Sequence, residues 1–355
     1  MRIDKTIKKI ILLMVVVLVY SLIVILVMNI YNQNNKDKFE LLDFEEYVAN
    51  LSISGYDFNI AKNADGTIIH DGFFMKINSY GMRDYEYSLE KPENTFRIAI
   101  LGDSFTFGFG EKMNETYPKL LETSLRNKYS ESNIEVLNFG GNGHNTFTEY
   151  LILTKKVVLF EPDLIILGYF LNDPDYDYDK NMIYFCLEAS KQSDNTAKLK
   201  EYNPYKEIIE ELNELYRKGL LIKGIGKEDY QENYYFSLYQ PTYPGWKCTI
   251  EAFNKIGEFS EQKIPVITII LPGEFRNVNR YDKLANIYKL VEKVSKDANL
   301  TTLNLYEMSN IDSNTIIDNE VAHYNYNGNK LVTELLMPEI EKHSSFKNFQ
   351  NNGQK

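Results

Sequence analysis

Short apolar runs that stop abruptly at glycine or at a polar turn punctuate the chain from residue 96 onward, and they leave few architectures open. Residues 96–101 (FRIAIL) end at Gly102, residues 134–139 (IEVLNF) end in Gly140-Gly141, and residues 163–169 (DLIILGY) follow the same plan. Residues 263–271 and 301–305 supply a fourth and a fifth run. Runs this compact, with little polar alternation, suit strands buried on both faces. The stretches 115–129 and 146–160 carry helical spacing, and a shorter apolar helix is expected over 331–336. Strands alternating with helices imply a parallel sheet, and right-handed crossovers make it doubly wound. The expected fold is therefore a three-layer α/β/α sandwich with a mainly parallel sheet. In such sheets ligands bind at the carboxyl ends of the strands.

A second feature lies ahead of this domain. Residues 10–30 (IILLMVVVLVYSLIVILVMNI) hold no charge, and about 21 residues at helical rise span a hydrocarbon core of about 30 Å. The run is too long for the apolar core of a signal peptide, and the sequence after it offers no small-x-small cleavage site. An uncleaved single-pass anchor is expected. Arg2, Lys5, Lys8 and Lys9 precede it, which places the N-terminus in the cytoplasm and the rest of the chain outside. The expected organisation is a cytoplasmic segment (1–9), the anchor (10–30), a stalk and lead-in with short strands (31–90) and the main domain (91–345). A tyrosine-rich insertion at about 174–248 is expected to pack beside the site edge, its aromatics forming a local hydrophobic cluster. A polar, frayed tail closes the chain (346–355).

Composition narrows the function classes. Acidic residues outnumber basic ones, 50 to 39, so the concentrated basic surface that nucleic-acid binding needs is not expected. Two cysteines, Cys186 and Cys248, cannot build a zinc-finger array or a disulfide-dense scaffold, although an exported domain permits one bond between them. The four histidines are His70, His144, His323 and His343. His70 and His144 lack neighbours at ligand spacing, so no metal is expected; His144 is read as a loop-surface residue.

Ser104 follows the first buried strand directly, within ILGDSFTFG. A strand-to-helix turn there exposes its Oγ at the sheet's carboxyl edge, or the serine caps the helix. Two later strands end in groups suited to an oxyanion hole, NFGGNG at 138–143 and GYFLND at 168–173, because glycine lets a backbone N–H approach closely and asparagine adds an amide donor. His323 precedes the last expected helix, with Glu320 three residues earlier, the arrangement of a base and its orienting acid.

Together these four blocks, in this chain order, resemble the SGNH/GDSL hydrolase superfamily over about residues 78–340. The lead-in NSYGMRD (78–84) is similar to that of bacterial envelope members. The resemblance implies a flavodoxin-like sheet and acyl transfer through a serine ester, with no cofactor. It assigns Ser104 as nucleophile, His323 as base, and Ser104, Gly143 and Asn172 to the oxyanion hole. Gly140 or Gly141 could replace Gly143 if the loop shifts. Where the family usually has aspartate, this chain has Glu320, so Asp318 as the acid and a bare Ser-His dyad stay open.

The leading expectation is an extracytoplasmic O-acetyl esterase acting on a cell-envelope carbohydrate. An O-acetyltransferase would use the same groups with a sugar in place of water. A lipase-like activity lacks an obvious apolar lid, and a non-catalytic anchored binding protein is the reading from another class. The anchor suggests a membrane partner or a membrane-proximal substrate.

Overall fold

The computed structural model describes residues 67–70, 73–175, 235–241, 243–273, 281–309 and 323–353. The expected anchor at 10–30, most of the insertion, Asp318 and Glu320 lie outside the described residues. Among the described residues no helix is long and apolar enough to cross a membrane.

The lead-in contains a hairpin of β1 (Thr67–His70) and β2 (Phe73–Lys76), paired antiparallel. The main sheet has five strands: β3 (Thr95–Gly102), β4 (Asn133–Gly140), β5 (Leu164–Tyr169), β6 (Val266–Ile270) and β7 (Thr301–Asn304). Their spatial order is β4-β3-β5-β6-β7, and every neighbouring pair is parallel. The described helices are α1 (Ser104–Phe107), α2 (Tyr117–Lys128), α3 (Thr146–Lys155), α4 (Pro244–Gln262), α5 (Tyr281–Asp297), α6 (Leu305–Met308), α7 (Tyr326–Lys342) and α8 (Ser344–Gly353).

Alternate side chains of each central strand enter two separate cores. Ile98, Ile100, Val136, Ile166 and Ile269 meet α2 and α7 on one face, through Leu121, Leu125, Val332 and Leu336. Ala99, Leu101, Leu137, Phe139 and Leu167 meet α3, α4 and α5 on the other, through Ile152, Phe253 and Ile287. Burial on both faces is why the strands read as unbroken apolar runs. The one charge inside β3, Arg97, is buried at the amino end, its guanidinium donating to Glu135 Oε2 at 2.8 Å and to the carbonyls of Leu89 and Phe160.

Four expectations need correction. The tail is not frayed: Ser344–Gly353 is helical, with Phe346 buried 5.1 Å from Phe96. Two aromatics three residues apart, Phe346 and Phe349, both reach Phe96 and hold that helix against the sheet. The helix expected over 331–336 runs from Tyr326 to Lys342, because Asn325 caps it by accepting from the Gly328 N–H at 3.1 Å. The helix expected through 160 ends at Lys155 and gives way to a 3₁₀ turn, Val157–Phe160. Residues 244–248, placed in the insertion, open α4 instead. There Trp246 is buried against Tyr239 with ring centroids 4.8 Å apart. Those aromatics belong to the core, as a hydrophobic cluster would. Cys248 is buried in the same helix and is disulfide-bonded; Cys186 lies outside the described residues.

The NSYGMRD lead-in fastens the turn after β3. Asn78 Oδ1 accepts from the Tyr80 and Met82 N–H groups, each at 3.0 Å, and shapes a tight loop. The loop delivers Arg83, nearly fully buried, whose guanidinium donates to the carbonyls of Phe107 (3.0 Å), Gly108 (2.6 Å) and Glu111. Asp84 then accepts from the Asn138 N–H at 2.7 Å and pairs with Lys119 at 2.8 Å. Without Arg83 three carbonyls beside α1 lose a charged donor in a buried setting. Arg83→Met should lower stability by about 3 kcal/mol, measured by urea unfolding, and a loss below about 0.5 kcal/mol would show that the clamp is idle.

Candidate active site

The strand order puts the chain's reversal between β3 and β5: β4 follows β3 on one side, and β5 returns on the other. Crevices form at the carboxyl ends of such a pair. Register aligns those ends, because Gly102 lies opposite both Gly140 and Gly168. The α1 turn then settles on this glycine row. A Cβ at Gly140 would overlap the backbone of Thr106 and Phe107, so α1 can lie this close only over glycine.

Ser104 is the first residue of α1 and is nearly buried. The cap itself is Asp103, whose Oδ1 accepts from the Phe105 N–H at 2.9 Å. Ser104 is thereby released from the capping role that its sequence position also allowed. Its Oγ lies 2.7 Å from His323 Nε2, although the two are 219 residues apart in sequence.

His323 is held from both sides. Tyr324 donates its hydroxyl to the Pro272 carbonyl at 2.6 Å. Asn329, fully buried at the start of α7, accepts from the Tyr117 N–H at 2.8 Å and donates back to the Asn325 carbonyl at 3.1 Å. That asparagine ties the segment bearing His323 to the N-terminus of α2. Phe105 and Phe109 flank the imidazole with centroids at 4.8 and 5.2 Å, and Phe170 stacks on Phe105 at 3.9 Å. This aromatic wall was not among the expected site residues, because no motif marks its phenylalanines out.

The glycine block separates its three candidates. The Gly140 N–H donates to Asn138 Oδ1 at 2.9 Å and the Gly141 N–H to the Gly102 carbonyl at 3.0 Å. Both donors are consumed by the turn. Gly143 has φ of 74° and open space where a Cβ would stand, and no such bond engages its N–H among the described residues. His144, expected on the loop surface, is instead buried, its ring packed against the Cα of Gly141. The absence of a side chain at Gly141 makes that burial possible.

Asn172 follows β5. Its amide faces the Asp103 carboxylate and holds that group's pKa down, while its Oδ1 is buried without a hydrogen-bond partner. Asp103 also belongs to a group the sequence reading did not assemble, with Glu149 and Asp173, all fully buried and close enough for their charges to act on one another. Burial pushes Asp103 up to about 7, against the pull of the Phe105 N–H and the Asn172 amide. Burial, and then the like charge of its neighbours, raises Glu149 and Asp173 well above the ordinary carboxylate range. The available signal was a glutamate on the α3 face that also carries Asn145 and Ile152, a face otherwise buried.

No family model matches the chain, and no curated protein matches it. Among solved structures, the chain is similar to a lipase/acylhydrolase from Enterococcus faecalis, at 15% identity and a TM-score of 0.40, covering 69% of this chain and 95% of that one. It is similar to a catalytic mutant of an acetylxylan esterase from Geobacillus stearothermophilus, at 12% identity and a TM-score of 0.43, covering 70% and 95%. A third such structure is TesA, at 10% identity and a TM-score of 0.41, covering 69% and 98%.

The two kinds of glycine in this loop should respond differently to alanine. Gly140→Ala forces α1 off the sheet and should cost about 2–4 kcal/mol. Gly143→Ala strains only a left-handed backbone and should cost about 1–2 kcal/mol. Thermal unfolding of both variants checks the order, and equal losses would refute the close-approach account.

Proposed function

We propose that this chain is a serine esterase of the SGNH/GDSL hydrolase superfamily, working outside the cytoplasm from a membrane anchor at residues 10–30. The observation that carries the reading is the 2.7 Å contact between Ser104 Oγ and His323 Nε2 at the carboxyl edge of a parallel sheet. The ordered Ser, Gly, Asn and His blocks support it from the sequence side. Within that class we propose O-acetyl groups on a cell-envelope carbohydrate as substrate, a choice supported by the resemblance of residues 78–84 to envelope members.

In this mechanism His323 Nε2 takes the Ser104 proton while Oγ bonds to the ester carbonyl carbon. The carbonyl oxygen gains negative charge and is met by the N–H groups of Ser104 and Gly143 and by the Asn172 amide. His323 then passes its proton to the departing sugar oxygen as the acyl C–O bond breaks. Water, deprotonated by the same imidazole, releases acetate from Ser104 and restores the site. Glu320, with Asp318 as the other candidate, would accept the Nδ1 proton of His323 in a hydrogen bond.

The purified full-length protein should hydrolyse p-nitrophenyl acetate and form an acetyl-Ser104 adduct visible by mass spectrometry. Ser104→Ala should reduce kcat by roughly 10⁴-fold or more, and Asn172→Ala by roughly 10²–10³-fold, with unfolding midpoints near that of the parent. Undiminished turnover in Ser104→Ala would end the assignment. Adding acceptor glycans to the same assay separates hydrolysis from transfer. A folded parent that never acylates would favour the binding-protein reading.

A further inference from the structure

The three carboxyl groups below Ser104 pose a hydrogen-bond accounting problem. Asp103 Oδ2, both Glu149 oxygens and Asn172 Oδ1 are buried without hydrogen-bond partners among the described residues. With the acids ionised all four atoms are acceptors, and acceptors cannot satisfy one another. A proton on a carboxyl group turns one acceptor into a donor, which an acceptor within reach can then meet. Buried polar atoms left unpaired are expensive, so the arrangement favours bound protons over bare charge.

Position gives those protons a consequence for catalysis. Asp103 immediately precedes Ser104 and caps its helix, and Asn172 and Asp173 are consecutive. Asp173 is otherwise held by the Thr146 hydroxyl at 2.7 Å and the Phe170 N–H at 3.2 Å. The groups facing the cluster are Tyr117 from α2, which feels Glu149 and Asp103, Tyr239, which feels Asp173, and Tyr324, which feels Asp103. No lysine or arginine among the described residues contributes to any of the three acids.

We propose that Asp103, Glu149 and Asp173 act as one proton-sharing unit that orients the Asn172 amide and keeps negative charge from accumulating beneath the oxyanion site. Glu149 and Asp173 stay neutral acids, and Asp103 is the member that ionises first. Asp103 accepts from the Phe105 N–H and faces the Asn172 amide, and these donors receive its charge, whereas Glu149 has no hydrogen-bond donor on either oxygen among the described residues. Like charges this close cannot all form, so the unit titrates jointly rather than residue by residue. As pH rises and the second proton leaves, new negative charge beneath Ser104 and Asn172 opposes the charge growing on the substrate oxygen. All three are positioning residues, acting through Ser104 and Asn172 rather than on substrate.

The kinetic arm rests on the esterase reading; the spectroscopic arm does not. In the full-length protein near neutral pH, the infrared spectrum should contain the carbonyl band of protonated carboxylic acid, weakened in Glu149→Gln. An acid whose pKa is raised by folding favours the native state at low pH, and that support is withdrawn as pH rises from the unfolded value towards the folded one. The melting temperature of the parent should therefore fall from about pH 5 to about pH 8 more steeply than that of Glu149→Gln. The alkaline limb of kcat should move up by about one pH unit or more in Glu149→Gln, and likewise in Asp173→Asn. Absence of a protonated-acid band from the parent would overturn the proposal whether or not the enzyme turns over. An alkaline limb identical in parent and both variants would overturn the catalytic half of it.

Discussion

Where three parallel strands end level, a short helix can rest on them, and in this protein only glycine at those ends leaves room for it. Gly102, Gly140 and Gly168 stand in one row, and the backbone of Thr106 and Phe107 lies directly over Gly140. That close approach fixes the height of Ser104 above the sheet. Arg83 holds the far side of the same turn through three carbonyls, and Asp103 holds the near side through its cap. The serine is therefore placed by backbone contacts on three sides, with its own side chain left for the imidazole.

The same economy of donors sorts the rest of the loop. Gly140 and Gly141 spend their N–H groups on the turn, which leaves Gly143 as the glycine of the block whose N–H no such bond engages among the described residues. Asn138 serves twice, accepting from Gly140 and donating to the Thr106 carbonyl at 3.0 Å. Glycine block and nucleophile turn are thus stitched together before any substrate arrives. Preorganised donors of this kind are what acyl-transfer chemistry demands, since reorienting dipoles during reaction raises the barrier.

The sheet was legible because its strands are buried on both faces, so apolar runs such as 96–101 and 163–169 show little alternation that could suggest anything else. Helix ends were less legible. The first turn of α7 reads Tyr-Asn-Gly-Asn, a turn-like string, yet Asn329 is buried for its hydrogen bonds rather than its hydropathy. The last helix hid its two anchoring phenylalanines among Ser, Asn and Gln. His144 looked exposed because a loop histidine usually is, and nothing local reveals that a glycine three residues earlier makes space for its ring. Ser104 and His323 were readable only as members of an ordered set of blocks. Of the buried acids only Glu149 left a trace, on the buried face of α3; the meeting of the three was not readable, since they come from three separate elements.

The tie between Asn329 and Tyr117 sets a schedule as well as a geometry. Nucleophile, glycine block and Asn172 all lie within the first half of the chain, on strands that pair with one another. His323 takes its place only when α7 docks on α2. During synthesis the serine therefore exists for more than two hundred residues of elongation without its base. The nascent chain carries an unarmed nucleophile until the segment bearing His323 and α7 has been made.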